Sequence, residues 1–485
     1  MKGRKMPVEM RGRVLSVASE CVPLVKTGGL ADVVGALPAA LAPLGWEMRV
    51  MIPAYRGLRP MLEGWSEVWV EENLWGGTGT VFAGEAGGVS FLALDAPHLF
   101  DREGGPYGGP SGDWWDNPQR FAALSWVAAK IVRHGVEGWK PDVLHAHDWQ
   151  AGLAPAYLAY GGSGGSGTVM TIHNMAFQGH APVGLIDDLR LPRGEFHPDA
   201  LEYYGHISTL KAGLVTADRV TTVSPHYAEE LMRPEFGMGL EGVIARRAAE
   251  GAVSGILNGV DTAIWSPDLA ATPYSARAMK GKAAARAALC AEFGLEVPGP
   301  LAILVSRLTE QKGIDLIPEA VPAFVEGGGG LVILGSGNPV LERAMDGLAR
   351  RFPGRVAVRI GYDEALSQRM FAGGDAVLVP SRFEPCGLTQ MYGLRYGTIP
   401  LVSAVGGLSD SVIDASPAAL AVGAATGVVF HPVDGLALGQ ALHRLLVLHG
   451  DSARWDALRR AAMRQPVGWE TSAAAYAALY EGLMA

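Results

Sequence analysis

The chain has 485 residues, more than one hydrophobic core sustains, so two domains of roughly 200 to 250 residues each are expected. An apolar fraction of 49% can fill both cores, and a formal charge of -9 at pH 7 excludes the general basic surface that nucleic acid or an anionic membrane would require. Three widely spaced cysteines, Cys21, Cys290 and Cys386, exclude a disulfide scaffold and a thiolate zinc site and fit a reduced, cytoplasmic protein.

The basic run from Met1 to Arg13 is followed by no apolar stretch of signal-peptide length. Its first ten or so residues read as a frayed extension of a soluble chain. Arg13 to Ser19 reads as a strand, followed by a glycine loop, a helical pattern from Ala31 to Leu44 and a second strand from Glu47 to Ile52. That order makes a right-handed parallel crossover in a doubly wound sheet. Glu67 to Leu94, broken by Gly76-Gly77 and Gly87-Gly88, reads as hairpin material. Buried strands follow at Asp142 to Ala146, Thr168 to Ile172, Arg219 to Val223 and Ser254 to Leu257. Between two of them, Gly161 to Gly167 matches a dinucleotide-binding fingerprint. It follows a helix and precedes a strand, the reverse of what a phosphate site needs, so a flexible surface loop is expected.

Asn258 to Pro300 connects the halves, and the alternation then restarts. Strands are expected at Leu301 to Val305, Leu331 to Leu334, Val356 to Ile360, Ala376 to Val379 and Pro400 to Ser403, with a last helix from Glu470 to Met484. The expected fold class is therefore α/β, with two doubly wound, Rossmann-like domains facing a central cleft. The boundaries are 1–257 and 258–469, and the helix of 470–485 packs back on the first domain.

Chemistry-bearing residues cluster just after the strands, where such folds bind ligands. Lys26-Thr27-Gly28-Gly29-Leu30 offers a cation, close backbone approach and a helix end, although a plain turn is the rival reading. His145-Ala146-His147-Asp148 ends another strand, and His173-Asn174 ends a third. With no further ligand cluster nearby, hydrogen bonding to substrate hydroxyls or among themselves is a better use for these histidines than metal, and a satisfied structural histidine is the rival reading for His145. Arg307 and Lys312 sit five residues apart after the first strand of the second half and suit a diphosphate. In Arg382 to Gln390, Pro385 and Gly387 bare the backbone ahead of a helix. Glu384 either caps that helix or steadies a developing oxocarbenium ion.

These motifs, together with Leu210 to Gly213, Asp218 to Ser224, Glu235 to Gly237 and Gly255 to Asp261, resemble in one order those of the bacterial glycogen synthases and plant starch synthases. These are retaining glycosyltransferases of GT-B architecture. The resemblance implies transfer of glucose from ADP-glucose to the non-reducing 4-hydroxyl of an α-1,4-glucan, with retained configuration and with neither metal nor cofactor. It implies catalytic roles for Glu384, Arg307, Lys312, His173 and Asp148. It assigns donor binding to Lys26, Gly28, Gly29, Asn258, Tyr362, Cys386, Gly387, Leu388 and Thr389, and acceptor binding to Tyr107, Asp32 and His147. Lys26 would link donor binding to closure of the domains. Retention needs a covalent intermediate or same-face attack, and the route favoured here is same-face, with the leaving phosphate taking the acceptor proton. Use of UDP-glucose, a starch-synthase role and a non-catalytic glucan-binding protein are the alternatives. Ser403-Ala404 stands where family members often carry basic or polar residues.

Overall fold

In a computed structural model, residues 9–484 are described; the expectation of a frayed N-terminus falls mostly outside them. The chain forms two compact units, one built from the residues up to Val223, Ala228–Ile256 and the segment from Trp469 onward, the other from Ser224–Tyr227 and Leu257–Gly468.

The first unit carries a nine-stranded sheet among the described residues. Its strands are β1 (Gly12–Val17), β2 (Trp46–Pro53), β3 (Ser66–Leu74), β4 (Gly77–Ala86), β5 (Val89–Asp95), β6 (Val143–His147), β7 (Gly167–Ile172), β8 (Arg219–Thr222) and β9 (Val253–Gly255). They lie in the order β9-β8-β7-β6-β1-β2-β5-β4-β3. Every neighbouring pair from β9 to β5 is parallel, and β3 and β4 add an antiparallel meander. The expected hairpin is thus three strands, the last of which joins the parallel sheet. From β1 the chain winds one way through β2 and β5; it then returns to the other side of β1 as β6 and winds the opposite way. The switch point lies between β1 and β6.

The helix after β1 spans Gly29–Leu41, two residues earlier than the apolar pattern suggested. It buries Leu30, Val33, Val34, Leu37 and Leu41, the spacing of one helical face. The final helix, Trp469–Met484, packs Tyr476 and Tyr480 into the same core as Val14, Leu37 and Trp46. The glycine-rich segment ahead of β7 is a turn with left-handed glycines, and its carbonyls are held by Arg133 and Lys140.

The second unit holds six parallel strands: β10 (Leu301–Val305), β11 (Gly330–Gly335), β12 (Val356–Ile360), β13 (Ala376–Val379), β14 (Ile399–Ser403) and β15 (Val428–Phe430). Their order is β12-β11-β10-β13-β14-β15, the doubly wound arrangement, with its switch point between β10 and β13. Leu301 to Leu304 are all fully buried, as a strand covered on both faces demands. The stretch expected as a connector belongs to this unit and contains the helix Lys280–Phe293. No helix among the described residues is long and apolar enough to cross a membrane.

Candidate functional site

In the first unit the loops after β1 and β6 flank the switch point. Glu20, buried just beyond β1, is the centre of the first loop. One of its oxygens accepts the backbone N–H groups of Thr27 and Gly28, the other the hydroxyls of Thr27 at 2.7 Å and Tyr107 at 2.8 Å. Lys26 pairs with Asp32 at 2.7 Å, and both are part-exposed, so the pair contributes little to stability. Asp32, expected on the acceptor side, therefore faces Lys26. Tyr107, expected to stack on glucan, has its hydroxyl engaged by Glu20 and Ser19 and its ring tilted against Phe121. Gly28 is extended, and neither Gly28 nor Gly29 has a positive φ or a neighbour that a Cβ would meet. Nothing in the fold requires glycine at these two positions.

Side-chain alternation brings the ends of β1, β6 and β7 together. His145 and His147 lie with ring centroids 4.1 Å apart. His145 is fully buried and bonds the Tyr480 hydroxyl at 2.7 Å and the Thr171 hydroxyl at 2.6 Å, a structural role. His147 is also fully buried, with Nε2 on the Ser16 hydroxyl at 3.1 Å and Nδ1 on Nε2 of His173 at 3.0 Å. The acceptor role expected for His147 is corrected accordingly: both nitrogens are occupied inside the protein, and it reaches His173, not a sugar. Between two imidazoles one nitrogen must donate and the other accept, so Ser16, His147 and His173 form a directional chain. His173, half-buried, is its open end, and its Nδ1 has no partner among the described residues.

Burial drives the pKa of both His145 and His173 down to about 3, and His147 well below its usual range, so all three rings are neutral near pH 7. Asp148 adopts a left-handed φ of 53° and turns its carboxylate onto the backbone N–H groups of His173 at 2.7 Å and Asn174 at 3.4 Å. Burial raises its pKa to about 7, against the pull of those two donors. Asp148 thus locks the loop that carries His173.

In the second unit the loops after β10 and β13 flank the switch point. Arg307 is exposed, and its guanidinium has no side-chain partner among the described residues. Lys312 donates to Oε2 of Glu384 at 2.5 Å, and the Ser381 hydroxyl donates to the same oxygen at 2.9 Å. Glu384 is buried, and the helix it was expected to cap begins only at Thr389, with Leu388 in the cap position and no side-chain cap. The capping reading is therefore corrected: four residues separate Glu384 from the first turn, and its charge is matched to Lys312. Ser403, at the departure from the family pattern, is buried and donates to the Ser381 carbonyl at 2.5 Å. It thereby supports Glu384 at one remove.

Asn258 and Cys386 meet, although 128 positions apart by their numbers. Burial pushes the Cys386 thiol up to about 12, against hydrogen bonds from Asn258, so it is a neutral thiol. Among the described residues Oδ1 of Asn258 is buried without a partner, and so is Oε1 of Gln390, whose amide nitrogen holds the carbonyls of Cys386 and Gly387 and the hydroxyl of Ser411. Gly387 has a φ of 70°, and a Cβ there would stand 2.4 Å from Gln390 Oε1. Leu388 and Thr389 present the start of the following helix, its backbone N–H groups unclaimed by a side-chain cap. Tyr362, beyond β12, is 81% exposed and bonds Glu364 at 2.9 Å. No group of three or more potential metal-ligating side chains is found among the described residues.

Glu20, Ser16 and Ser381 carry much of this organisation and have no candidate role in the sequence, whereas Gln390 closes the Arg382–Gln390 motif without a role of its own there. Glu20 lies six residues before Lys26 with no motif of its own; its position directly after a strand was the available signal.

Compared with known proteins, the chain matches the starch synthase catalytic domain family over residues 13–246 and the glycosyl transferases group 1 family over residues 299–447. A glycogen synthase of Cereibacter sphaeroides is 68% identical over 476 residues, covering 98% of this chain and 99% of that one. A glycogen synthase of Paracoccus denitrificans is 58% identical over 475 residues, covering 98% and 100%. Among solved structures, the catalytic domain of starch synthase IV from Arabidopsis thaliana, bound to ADP and acarbose, matches with a TM-score of 0.83. It is 30% identical, over 98% of this chain and 99% of that one.

Proposed function

The chain belongs to the glycogen synthase family, and from that premise we propose that it transfers glucose from ADP-glucose to the non-reducing 4-hydroxyl of an α-1,4-glucan, with retention of configuration. The observation that carries this reading is the charge arrangement at the second unit's switch point. There Arg307, whose guanidinium has no side-chain partner among the described residues, stands on the loop that also carries Lys312, whose charge is already matched by buried Glu384.

As the glycosidic bond to the diphosphate breaks, negative charge collects on the departing phosphate and positive charge on the sugar ring. Arg307 stabilises the departing charge as a planar two-point donor. Lys312 serves both sides, balancing Glu384 in the resting site and donating to phosphate during transfer. Glu384, held by Ser381, keeps a carboxylate beside the developing oxocarbenium ion. Asn258, with a buried unpartnered oxygen, takes a hydroxyl donor of the glucose, and the neutral thiol of Cys386 lies beside it. Backbone N–H groups at Leu388 and Thr389 hold phosphate, with Gly387 keeping that approach open, and Tyr362 stacks on adenine. From the first unit, Lys26 and the bare backbone at Gly28 and Gly29 serve the donor phosphate, and Nδ1 of His173 bonds a sugar hydroxyl. Departure and attack use one face of the sugar, and the leaving phosphate accepts the proton of the 4-hydroxyl. This places the proton on a group already oriented by Arg307 and needs no side-chain base.

The test is to incubate the protein with glycogen and radiolabelled ADP-glucose or UDP-glucose, with EDTA present. The expected result is glucan-bound label from ADP-glucose in clear excess over UDP-glucose. Absence of incorporation from either donor would overturn the reading.

A further inference from the structure

The described residues hold one buried carboxylate with four protein donors and no role in the proposed chemistry. Glu20 lies directly beyond β1 and is only 3% exposed, yet no cation pairs with it among the described residues. An uncompensated buried carboxylate is costly to maintain unless its lone pairs are filled. Here they are filled in a divided way. Oε2 takes two backbone N–H groups, from Thr27 and from Gly28, the latter at 3.2 Å. Oε1 takes two hydroxyls, those of Thr27 at 2.7 Å and Tyr107 at 2.8 Å. Tyr107 also contacts the Ser19 hydroxyl at 2.8 Å, and Tyr55 donates to the Ser19 carbonyl at 2.8 Å. One carboxylate therefore ties the two residues that follow Lys26 to the end of β1 and to a distant loop.

We propose that Glu20 is a positioning residue for glucosyl transfer: it fixes the backbone of Thr27 and Gly28, and with it the direction in which Lys26 and the two glycines are presented to the donor. The inference rests on the donor-side reading of the Lys26 loop. The helix Gly29–Leu41 anchors the far end of the loop and backbone bonds to Cys21 and Ala31 hold its near end, which leaves Thr27 and Gly28 to Glu20. The Lys26–Asp32 pair is half-exposed and too weak to set a backbone. Tyr107 gains its place in the same account: it steadies Glu20.

The division of labour between the two oxygens makes a sharp prediction. In Glu20→Gln the amide oxygen can take both backbone N–H groups while the amide nitrogen donates to the two hydroxyls, which reverse from donor to acceptor. The loop then keeps its place without the charge. In Glu20→Ala two backbone donors and two hydroxyls lose their partner, and the loop is released.

The experiment measures the KM for ADP-glucose, kcat and thermal stability for wild type, Glu20→Ala, Glu20→Gln and Tyr107→Phe, each with and without Lys26→Ala. Glu20→Ala is expected to raise the donor KM about tenfold or more, the scale of lost hydrogen bonds to a charged group, while the glucan KM stays within about twofold. Glu20→Gln is expected to recover most of that loss. Adding Glu20→Ala to Lys26→Ala should bring little further loss, since both act through one loop. An additive double mutant, or a lowered melting temperature with an unchanged donor KM, would overturn the proposal in favour of a purely structural role. A Gln variant as impaired as the Ala variant would overturn it in favour of a direct role for the charge. If Glu20→Ala does not fold, Glu20→Gln and Tyr107→Phe carry the same cycle with Lys26→Ala. Wild-type protein that transfers no glucose would refute the functional reading itself, an outcome distinct from any of these.

Discussion

The two switch points are built on opposite principles. In the first unit most of the polar groups are spent on one another: Ser16, His147 and His173 form a neutral chain, His145 is closed off by Tyr480 and Thr171, and Asp148 and Glu20 are filled largely by backbone donors, while Nδ1 of His173 and Oε1 of Gln150 stay open among the described residues. In the second unit the Arg307 guanidinium has no side-chain partner, and the buried side-chain oxygens of Asn258, Thr309 and Gln390 have no partner among the described residues. The glycines differ in the same sense. Gly313 and Gly407 are demanded by their surroundings, since a Cβ would meet Pro380 O at 2.0 Å and Cys386 O at 2.2 Å, whereas Gly28 and Gly29 meet nothing. A satisfied network defines a shape; an unsatisfied one is ready to receive charge. That difference assigns orientation to the first unit and charge stabilisation to the second.

The largest effect is expected where the two principles meet, in the Lys312–Glu384 pair. Lys312→Ala removes a phosphate donor and strands a buried carboxylate. Turnover should fall on the order of 100-fold to 1000-fold, and stability in urea should drop by about 3 kcal/mol. Near-normal turnover in this variant would remove Lys312 from the chemistry. Within the first unit, His173→Ala opens the chain at its accessible end and should lower kcat/KM about tenfold with little change in melting temperature. His145→Ala should do the reverse, costing about 1–3 kcal/mol of stability through the stranded Tyr480 hydroxyl and the lost bond to Thr171, which keeps Thr221, while transfer is largely retained. Equal behaviour of the two variants would break the distinction drawn between them.

A pH series sharpens the comparison further. Asp148 has its folded pKa raised to about 7, above an unfolded value near 3.8, so the folded state binds the extra proton between these values. Its contribution is therefore most favourable at low pH and is lost as pH rises toward and through 7. Asp148→Asn should flatten that part of the stability curve between about pH 4 and 7, read by urea unfolding. A slope identical to that of wild type would refute the assignment. The histidines, depressed by burial, act in the opposite direction and only as pH falls below their unfolded value of 6.5. The smallest structural effect belongs to Gly28→Ala, which should leave the melting temperature within about 1 °C, the scale of surface substitutions, yet weaken donor binding. Unchanged donor binding would return this loop to a plain turn.

Much of the fold is legible because parallel strands buried on both faces are continuous apolar runs bounded by turns. Leu301–Val305 and Ala376–Val379 fall where the pattern puts them. Val428–Phe430 does not stand out, since three apolar residues at a sheet edge make too short a run, and the antiparallel 66–86 segment alternates too weakly to reveal its partner. At the sites, strand-end positions expose Arg307, Lys312, His173 and Asp148 as candidates, because doubly wound sheets carry their chemistry there. What stays hidden is pairing over distance. That Glu384 answers Lys312, that Asn258 meets Cys386 and that His147 is sealed behind His173 are consequences of strand order and register, which local spacing does not encode.

The most direct test of the charge asymmetry is Arg307→Ala, assayed for glucosyl transfer from ADP-glucose and for thermal stability on the same preparation. Because the Arg307 guanidinium has no side-chain partner among the described residues to lose, transfer should fall about 100-fold while the melting temperature stays unchanged. Transfer at the wild-type rate would contradict the account, and so would a loss of activity that tracks a loss of stability.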